Sequence, residues 1–237
     1  TSPRSGIGKS YSFTFQFKVD STAPTMNNVS TSSTGKYTNS STYVSASDSM
    51  SGVECIYMKT PGSSSYGNMG TSTTVSSSGM NGLYSFYAKD KAGNTSRTYF
   101  LYLDTVKPTG KIKNSNGTEI TGSYTNQTFS YSATDSGSGI SYLQYKKPSS
   151  SSWLTYTSGT SISASAASGT YQFRAVDKAG NISATKSITL DSSKPTMTLY
   201  SGDVSVSNGF KSIANYIKAT ATDSGSGVKT IYVKKPG

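Results

Sequence analysis

The chain has 237 residues, of which 32% are hydrophobic and 14% charged, and its 22 basic and 11 acidic side chains give a net charge of +11. So low an apolar share favours several thin two-layer domains over one large core. The chain holds no histidine and one cysteine, which excludes histidine-based catalysis, a thiolate zinc cluster and an internal disulfide. Only three basic residues are arginines and no nucleic-acid motif is present, so nucleic acid is not expected as a partner.

Alternating side chains at the start of the chain predict a strand at the end of residues 1–19. Phe15, Phe17 and Val19 share one face of such a strand and are followed directly by Asp20. Apolar residues at the same spacing precede Asp104. We therefore interpret residues 1–19 as the last strand of a preceding repeat, in a piece taken from a longer chain.

A boundary motif, Asp-x-x-x-Pro-Thr, begins at Asp20, Asp104 and Asp191. The intervals between these aspartates are 84 and 87 residues. Self-similarity at a nearly fixed period is typical of repeat architectures. The motif divides the rest of the chain into two complete repeats and the first half of a further one, at residues 20–104, 105–191 and 192–237.

Two further motifs recur inside the repeats. Ala-x-Asp-x-x-Ser-Gly contains Asp48, Asp135 and Asp223, and Tyr-x-Phe-x-Ala-x-Asp-Lys-Ala-Gly-Asn contains Asp90 and Asp177. The Tyr-x-Phe-x-Ala alternation is typical of a half-buried strand, and no stretch has a sustained helical period. A period near 85 residues with short alternating strands predicts an all-β fold of tandem seven-strand immunoglobulin-like sandwiches, arranged as an elongated rod.

The repeats differ in length only between the boundary aspartate and the next motif, where the intervals are 28, 31 and 32 residues. A loop in this early segment is therefore expected to tolerate insertion, while the rest of each repeat is held in register.

An up-and-down count of the strands brings the motif aspartates together at the end of each repeat where the chain enters. The predicted groups are Asp20, Asp48 and Asp90; Asp104, Asp135 and Asp177; and Asp191 with Asp223. Carboxylates that converge in this way could supply part of the oxygen shell of an interdomain Ca²⁺. The alternative is that each aspartate accepts backbone N–H groups of its own turn and binds no metal. No other cofactor is expected.

Taken together, these motifs resemble the bacterial Ig-like repeats of Gram-positive cell-surface and adhesin-type proteins, over nearly all of residues 20–237. The resemblance implies a secreted, non-catalytic stalk on the cell surface that spaces or presents another domain, with neighbouring repeats as its partners. No apolar run of 18 residues is present, so no membrane span is expected in this segment.

Two other functions remain open from the sequence. Trp153, Tyr156 and Tyr145 could form an exposed aromatic face that binds host or cell-wall glycans, although aromatic residues on strands more often pack in a core. The chain could also be an accessory region of a large secreted wall hydrolase or glycosidase whose catalytic domain lies elsewhere.

Overall fold

The computed structural model describes residue 8 and residues 11–201, 204–206 and 217–234. All regular structure in these residues is β-strand, which confirms the all-β prediction. The chain divides into two compact units, Thr1–Lys36 with Ser41–Leu101, and Tyr37–Ser40 with Tyr102–Gly237.

Eight strands belong to the first repeat. They are β1 Thr25–Asn27, β2 Lys36–Thr38, β3 Thr42–Ser47, β4 Val53–Lys59, β5 Gly67–Asn68, β6 Ser72–Val75, β7 Gly82–Asp90 and β8 Tyr99–Leu103. They form a three-stranded sheet in the order β1-β3-β6 and a five-stranded sheet in the order β2-β8-β7-β4-β5. Met26, Val44 and Val75 on the smaller sheet are buried, as are Phe86 and Leu101 on the larger sheet.

The second repeat has the same plan. Its strands are β9 Thr109–Asn114, β10 Tyr124–Thr125, β11 Phe129–Thr134, β12 Ile140–Lys146, β13 Leu154–Tyr156, β14 Ser161–Ile162, β15 Gly169–Asp177 and β16 Lys186–Leu190. The sheet orders are β14-β11-β9 and β10-β16-β15-β12-β13. One buried cluster takes Ile112, Phe129 and Tyr131 from the smaller sheet and Leu143 and Phe173 from the larger, so the two sheets enclose a core between them.

The prediction of seven strands in each repeat misses one strand. The extra strand, β2 or β10, has only two or three residues and adds to the edge of the larger sheet. In the second repeat β10 pairs in parallel with β16, so that Tyr124 lies opposite Thr189. The first segment of each repeat therefore contributes to both sheets. The residues between these two strands, β1 and β2 or β9 and β10, contain the stretch whose length varies between repeats.

The long strands β7 and β15 alternate as the sequence predicts. Tyr84, Phe86 and Ala88 are buried, and so are their counterparts in the second repeat, Tyr171, Phe173 and Ala175. The Tyr84 hydroxyl donates to the Met80 carbonyl at 2.9 Å, and the Tyr171 hydroxyl donates to the Ala167 carbonyl at 3.0 Å. Each tyrosine thus fixes the turn that leads into its strand.

The two end segments of the chain differ from each other. In the described part of residues 192–237, β17 Thr196–Ser201 pairs with β18 Val204–Val206 and β19 Ile217–Thr222. Residues 11–24 form no strand, and Phe15, Phe17 and Val19 are each at least 77% exposed. A strand needs a neighbour to complete its hydrogen bonds. The assignment of residues 1–19 to a preceding repeat stays a prediction, and most of residues 1–10 lie outside the described residues.

Candidate site at the repeat boundaries

The structure brings together the aspartates of the first two predicted groups. One carboxylate oxygen from each of Asp20, Asp48 and Asp90 lies within 4.8 Å of the others. Oxygens of Asp104, Asp135 and Asp177 lie equally close. Each group belongs to a single compact unit, the first to unit 1 and the second to unit 2. Asp191 and Asp223 mark the third boundary, and both belong to unit 2.

The boundary aspartate binds the loop that follows the second long strand of the repeat that begins at that boundary. Asp104 Oδ2 accepts the Ser138 N–H at 2.6 Å, and Asp104 Oδ1 accepts the Val106 N–H at 3.0 Å. The same bond to the loop recurs at the other two boundaries, from Ser51 to Asp20 at 2.9 Å and from Ser226 to Asp191 at 2.6 Å. At all three boundaries the aspartate thus binds a loop that lies 31 to 35 positions further along the chain, within the same compact unit.

The aspartate of the Ala-x-Asp motif closes its own turn, as the second interpretation of the sequence predicts. Asp135 Oδ1 accepts the N–H groups of Gly137 at 3.0 Å and Gly139 at 2.8 Å. Asp48 and Asp223 each accept two N–H groups at the same positions in their own turns. In each case one carboxylate oxygen organises the turn.

The third aspartate of each group accepts hydrogen bonds from an asparagine. The sequence did not predict that the same asparagine also bonds to the boundary residue. Asp177 accepts the Asn181 N–H at Oδ1 and the Asn181 amide at Oδ2, both at 2.8 Å. The Asn181 amide nitrogen also donates to the Asp104 main-chain oxygen at 2.8 Å, across 77 positions of sequence. Gly180, with φ of 95°, provides the left-handed backbone conformation that places Asn181 there.

The first boundary repeats this arrangement. Asn94 donates to Asp90 Oδ2 at 2.8 Å and to the Asp20 main-chain oxygen at 3.0 Å. One carboxamide therefore links the boundary residue to the loop between the last two long strands. The Gly-Asn pair in the third motif was a visible signal for a cap, but sequence spacing gives no sign of a bond to a residue 74 positions away.

Glycine beside the boundary carboxylate permits the carboxylate to approach the backbone closely at the second and third boundaries. A Cβ on Gly137 would overlap the Asp104 carboxylate, and a Cβ on Gly225 would overlap that of Asp191. Asp104 is fully buried and Asp191 is buried. In the first repeat Met50 occupies this position, and there Asp20 is only half-buried. The second and third boundaries are therefore packed more tightly around the carboxylate than the first.

Hydrogen bonds stabilise the charged form of two boundary carboxyls. The Ser193 hydroxyl, followed by Ser226, holds the pKa of Asp191 well below its usual range. Ser51, followed by the Thr22 N–H, lowers the pKa of Asp20. Donors that favour the ionised carboxylate have this effect because protonation weakens the bonds.

Two carboxylate oxygens remain without a partner among the described residues. Asp48 Oδ2 and Asp135 Oδ2 are both buried from solvent and accept no hydrogen bond. They occupy equivalent positions in the two groups of three aspartates. A buried anionic oxygen beside two more carboxylates is electrostatically costly unless a cation or a donor compensates it. These two groups are the residues that could hold a metal ion.

The predicted aromatic face of Trp153, Tyr156 and Tyr145 is not formed. Tyr156 is buried, donates to the Thr160 carbonyl and accepts the Tyr131 N–H at 3.0 Å. The Tyr145 ring packs against Tyr156, with ring centres 5.7 Å apart. Both tyrosines belong to the core side of the larger sheet, because Tyr156 is paired with the inward residue Leu143. Only Trp153 lies on the outer face.

Comparison with known proteins finds similarity only at the level of solved structures. No family model matches the chain, and no curated protein matches it. Among solved structures, it is similar to the fibronectin(III)-like modules of CbhA from Clostridium thermocellum, with 16% identity and a TM-score of 0.36 over 70% of this chain and 92% of that one. No helix in the described residues is long and apolar enough to cross a membrane.

Proposed function

We propose that this chain is a non-catalytic spacer segment of an extracellular bacterial protein, on the cell surface or secreted, which presents a distal domain. The observation that carries the proposal is the repeated boundary. At the start of each complete repeat the boundary aspartate is bound twice. Its main-chain oxygen accepts the amide of Asn94 or Asn181, and its carboxylate accepts the N–H of Ser51 or Ser138. Acidic side chains, which an active site would concentrate at one place, are instead distributed with the period of the repeat.

Small-angle X-ray scattering of the purified chain tests the spacer proposal. A compact globule of 237 residues has a radius of gyration of about 18 Å. Sandwiches that follow one another end to end must give a clearly larger value and an extended distance distribution. A radius near that of a compact globule would contradict the proposal. The scattering result is the same whether the spacer belongs to an adhesin or to a large secreted hydrolase. The sequence of the complete gene distinguishes these two parent proteins, because only the hydrolase encodes a catalytic domain.

We also propose that Ca²⁺ binds at the first two boundaries. The buried, unpartnered Oδ2 atoms of Asp48 and Asp135 favour this, because each lies in a group of three converging carboxylates. Ca²⁺ takes about six to eight oxygen ligands, which main-chain carbonyls and water would complete. A bound cation would offset the mutual repulsion of the carboxylates and stabilise the boundary.

Thermal unfolding with Ca²⁺ and with EDTA tests the metal proposal. We expect Ca²⁺ to raise the unfolding midpoint of the wild type, because it binds the folded chain preferentially. Asp135→Asn should remove the part of the rise that comes from the second boundary. Glu119→Gln, which changes an acid outside the three groups, should leave the rise intact. An unchanged wild-type midpoint would contradict calcium binding but leave the spacer proposal standing.

A further inference from the structure

Few of the basic side chains in the described residues form ion pairs with acidic side chains. Eight of the 11 acidic residues belong to the boundary groups. Of the other three, Glu54 pairs with Lys89 and Glu119 pairs with Lys111, both at 2.9 Å, and Asp203 lies outside the described residues. Within the described residues these are the ion pairs the structure shows. The remaining cations on the sides of the sandwiches therefore offer a field that attracts polyanions.

Three side chains on the outer face of the larger sheet of the second repeat form a cation–aromatic cluster. The Arg174 guanidinium lies 4.1 Å from the centre of the Trp153 ring, and Lys146 Nζ lies 4.9 Å from it. These are ordinary cation–π distances. The Trp153 ring therefore holds both cations close to the outer face of the sheet.

A hydrogen bond to Gln144 also orients Arg174, and other N–H donors of its guanidinium remain available. Its Nε–H donates to Gln144 Oε1 at 2.8 Å. Its two Nη nitrogens have no hydrogen-bond partner among the described residues. Arginine presents such donors in a planar fork that fits a carboxylate with two parallel hydrogen bonds. The arrangement holds the fork in place before any ligand arrives.

A second aromatic ring lies on the same face. Tyr142, Gln144 and Lys146 alternate along β12, and Tyr142 is 47% exposed. Trp153 covers the Lys146 end of this row. Lys146 lies four positions along the strand from Tyr142, which corresponds to about 13 Å. A polymer that runs along β12 would therefore meet Tyr142 at one end and Trp153, with the Arg174 guanidinium beside it, at the other.

The first repeat carries a weaker version of this cluster. Tyr66 takes the place of Trp153, lies 4.9 Å from the Tyr87 ring and is contacted by Lys59 Nζ at 5.4 Å. Tyr87 stands where the second repeat has Arg174, and Cys55 stands where it has Tyr142. The lysine and the aromatic ring thus recur with the 87-residue offset of the motifs, whereas the carboxylate-binding fork does not.

We propose that the outer face of the second repeat binds an acidic polysaccharide through Trp153, Tyr142 and Arg174. Sugar rings present apolar C–H faces that stack on aromatic side chains, and a uronate carboxylate would accept the Arg174 fork. A polyanion without rings, such as a polyol phosphate or an acidic peptide, would use the charge and leave the aromatic residues without a role. This inference is independent of the spacer proposal, which survives if it fails.

Binding of hyaluronan oligosaccharides to the whole chain, measured by calorimetry at low and physiological salt, tests the inference. Trp153→Ala and Tyr142→Ala should each weaken binding by about tenfold, a loss typical of an aromatic anchor. Arg174→Gln should weaken it at least as much. Tyr66→Ala in the first repeat should have a smaller effect. Polyglutamate of equal charge should bind more weakly than hyaluronan.

Two matched variants control for loss of any aromatic ring or any charge. Tyr124→Ala removes a tyrosine of similar exposure on β10, and Lys113→Gln removes one positive charge on the smaller sheet. Both should bind hyaluronan within about twofold of the wild type. Thermal midpoints must be measured for every variant, and exposed Tyr142 keeps the test valid if Trp153→Ala unfolds. No binding, equal binding of polyglutamate, or binding insensitive to Tyr142→Ala and Arg174→Gln would each overturn the inference.

Discussion

At the scale of single residues, Asn181 links two parts of the second boundary, because its side chain donates both to Asp177 and to the Asp104 main-chain oxygen. Asn181→Ala leaves two buried acceptors without these donors. We expect the free energy of unfolding to fall by about 2 kcal/mol, as for other buried acceptors left unpaired. Urea unfolding measures it, and Asn116→Ala, on an exposed turn, is the control. A loss no larger than that of the control would show that the amide is dispensable.

The boundary carboxyls also predict a dependence of stability on pH. The pKa of Asp20 is lowered in the folded chain, so its ionised form stabilises the fold above the pKa of the unfolded chain, about 4, and this contribution is lost as the pH falls further. The thermal midpoint should therefore drop between pH 5 and pH 3. Asp20→Asn should drop less over the same interval. Equal drops in the two proteins would contradict the role given to these hydrogen bonds.

At the scale of strands and loops, an insertion should cost different amounts of stability in two loops of the second repeat, one before and one after β11. Residues 121–124 are exposed and lie in the segment whose length varies between repeats. Three residues inserted after Thr121 should cost less than about 1 kcal/mol, because the entropy of closing a loop rises slowly with its length. The same insertion after Gly137 would separate Ser138 from Asp104 and should cost several times more. Urea unfolding compares them, and equal losses would contradict this account.

Local patterns predicted the long strands well and the short ones poorly. The alternation of Tyr84, Phe86 and Ala88 fixes which side is buried, because a long strand repeats its preference several times. The three-residue strand β13 gives no such repetition. Tyr156 on it could be placed only through its pairing with Leu143 across the sheet, and the sequence does not encode that pairing locally. For the same reason the two-residue strand β10 was not predicted.

The boundary site was predictable in part. The motif spacing predicts that the aspartates converge, because every repeat returns its loops to the same end. It does not predict the second hydrogen bond of Asn94 or Asn181, nor the free oxygens of Asp48 and Asp135. Those depend on where side chains from distant strands meet, which follows from packing rather than from period. The need for glycine at position 137 was not predictable either, because it follows from the close approach of the Asp104 carboxylate.

At the scale of the whole molecule, the central claim of the spacer proposal is that the chain is a series of separately folded sandwiches. Each complete repeat has its own pair of sheets, and no sheet in the described residues mixes strands of two repeats. Such units should unfold one at a time under force. Each should release a length set by its 84 to 87 residues, about 300 Å when extended.

Single-molecule stretching of the chain between its ends measures this directly. We predict two separate unfolding events for the complete repeats, each with an increment of somewhat less than 300 Å because the folded unit already spans part of that length. A single event that releases residues 20–191 together, or increments unrelated to the repeat period, would contradict the claim.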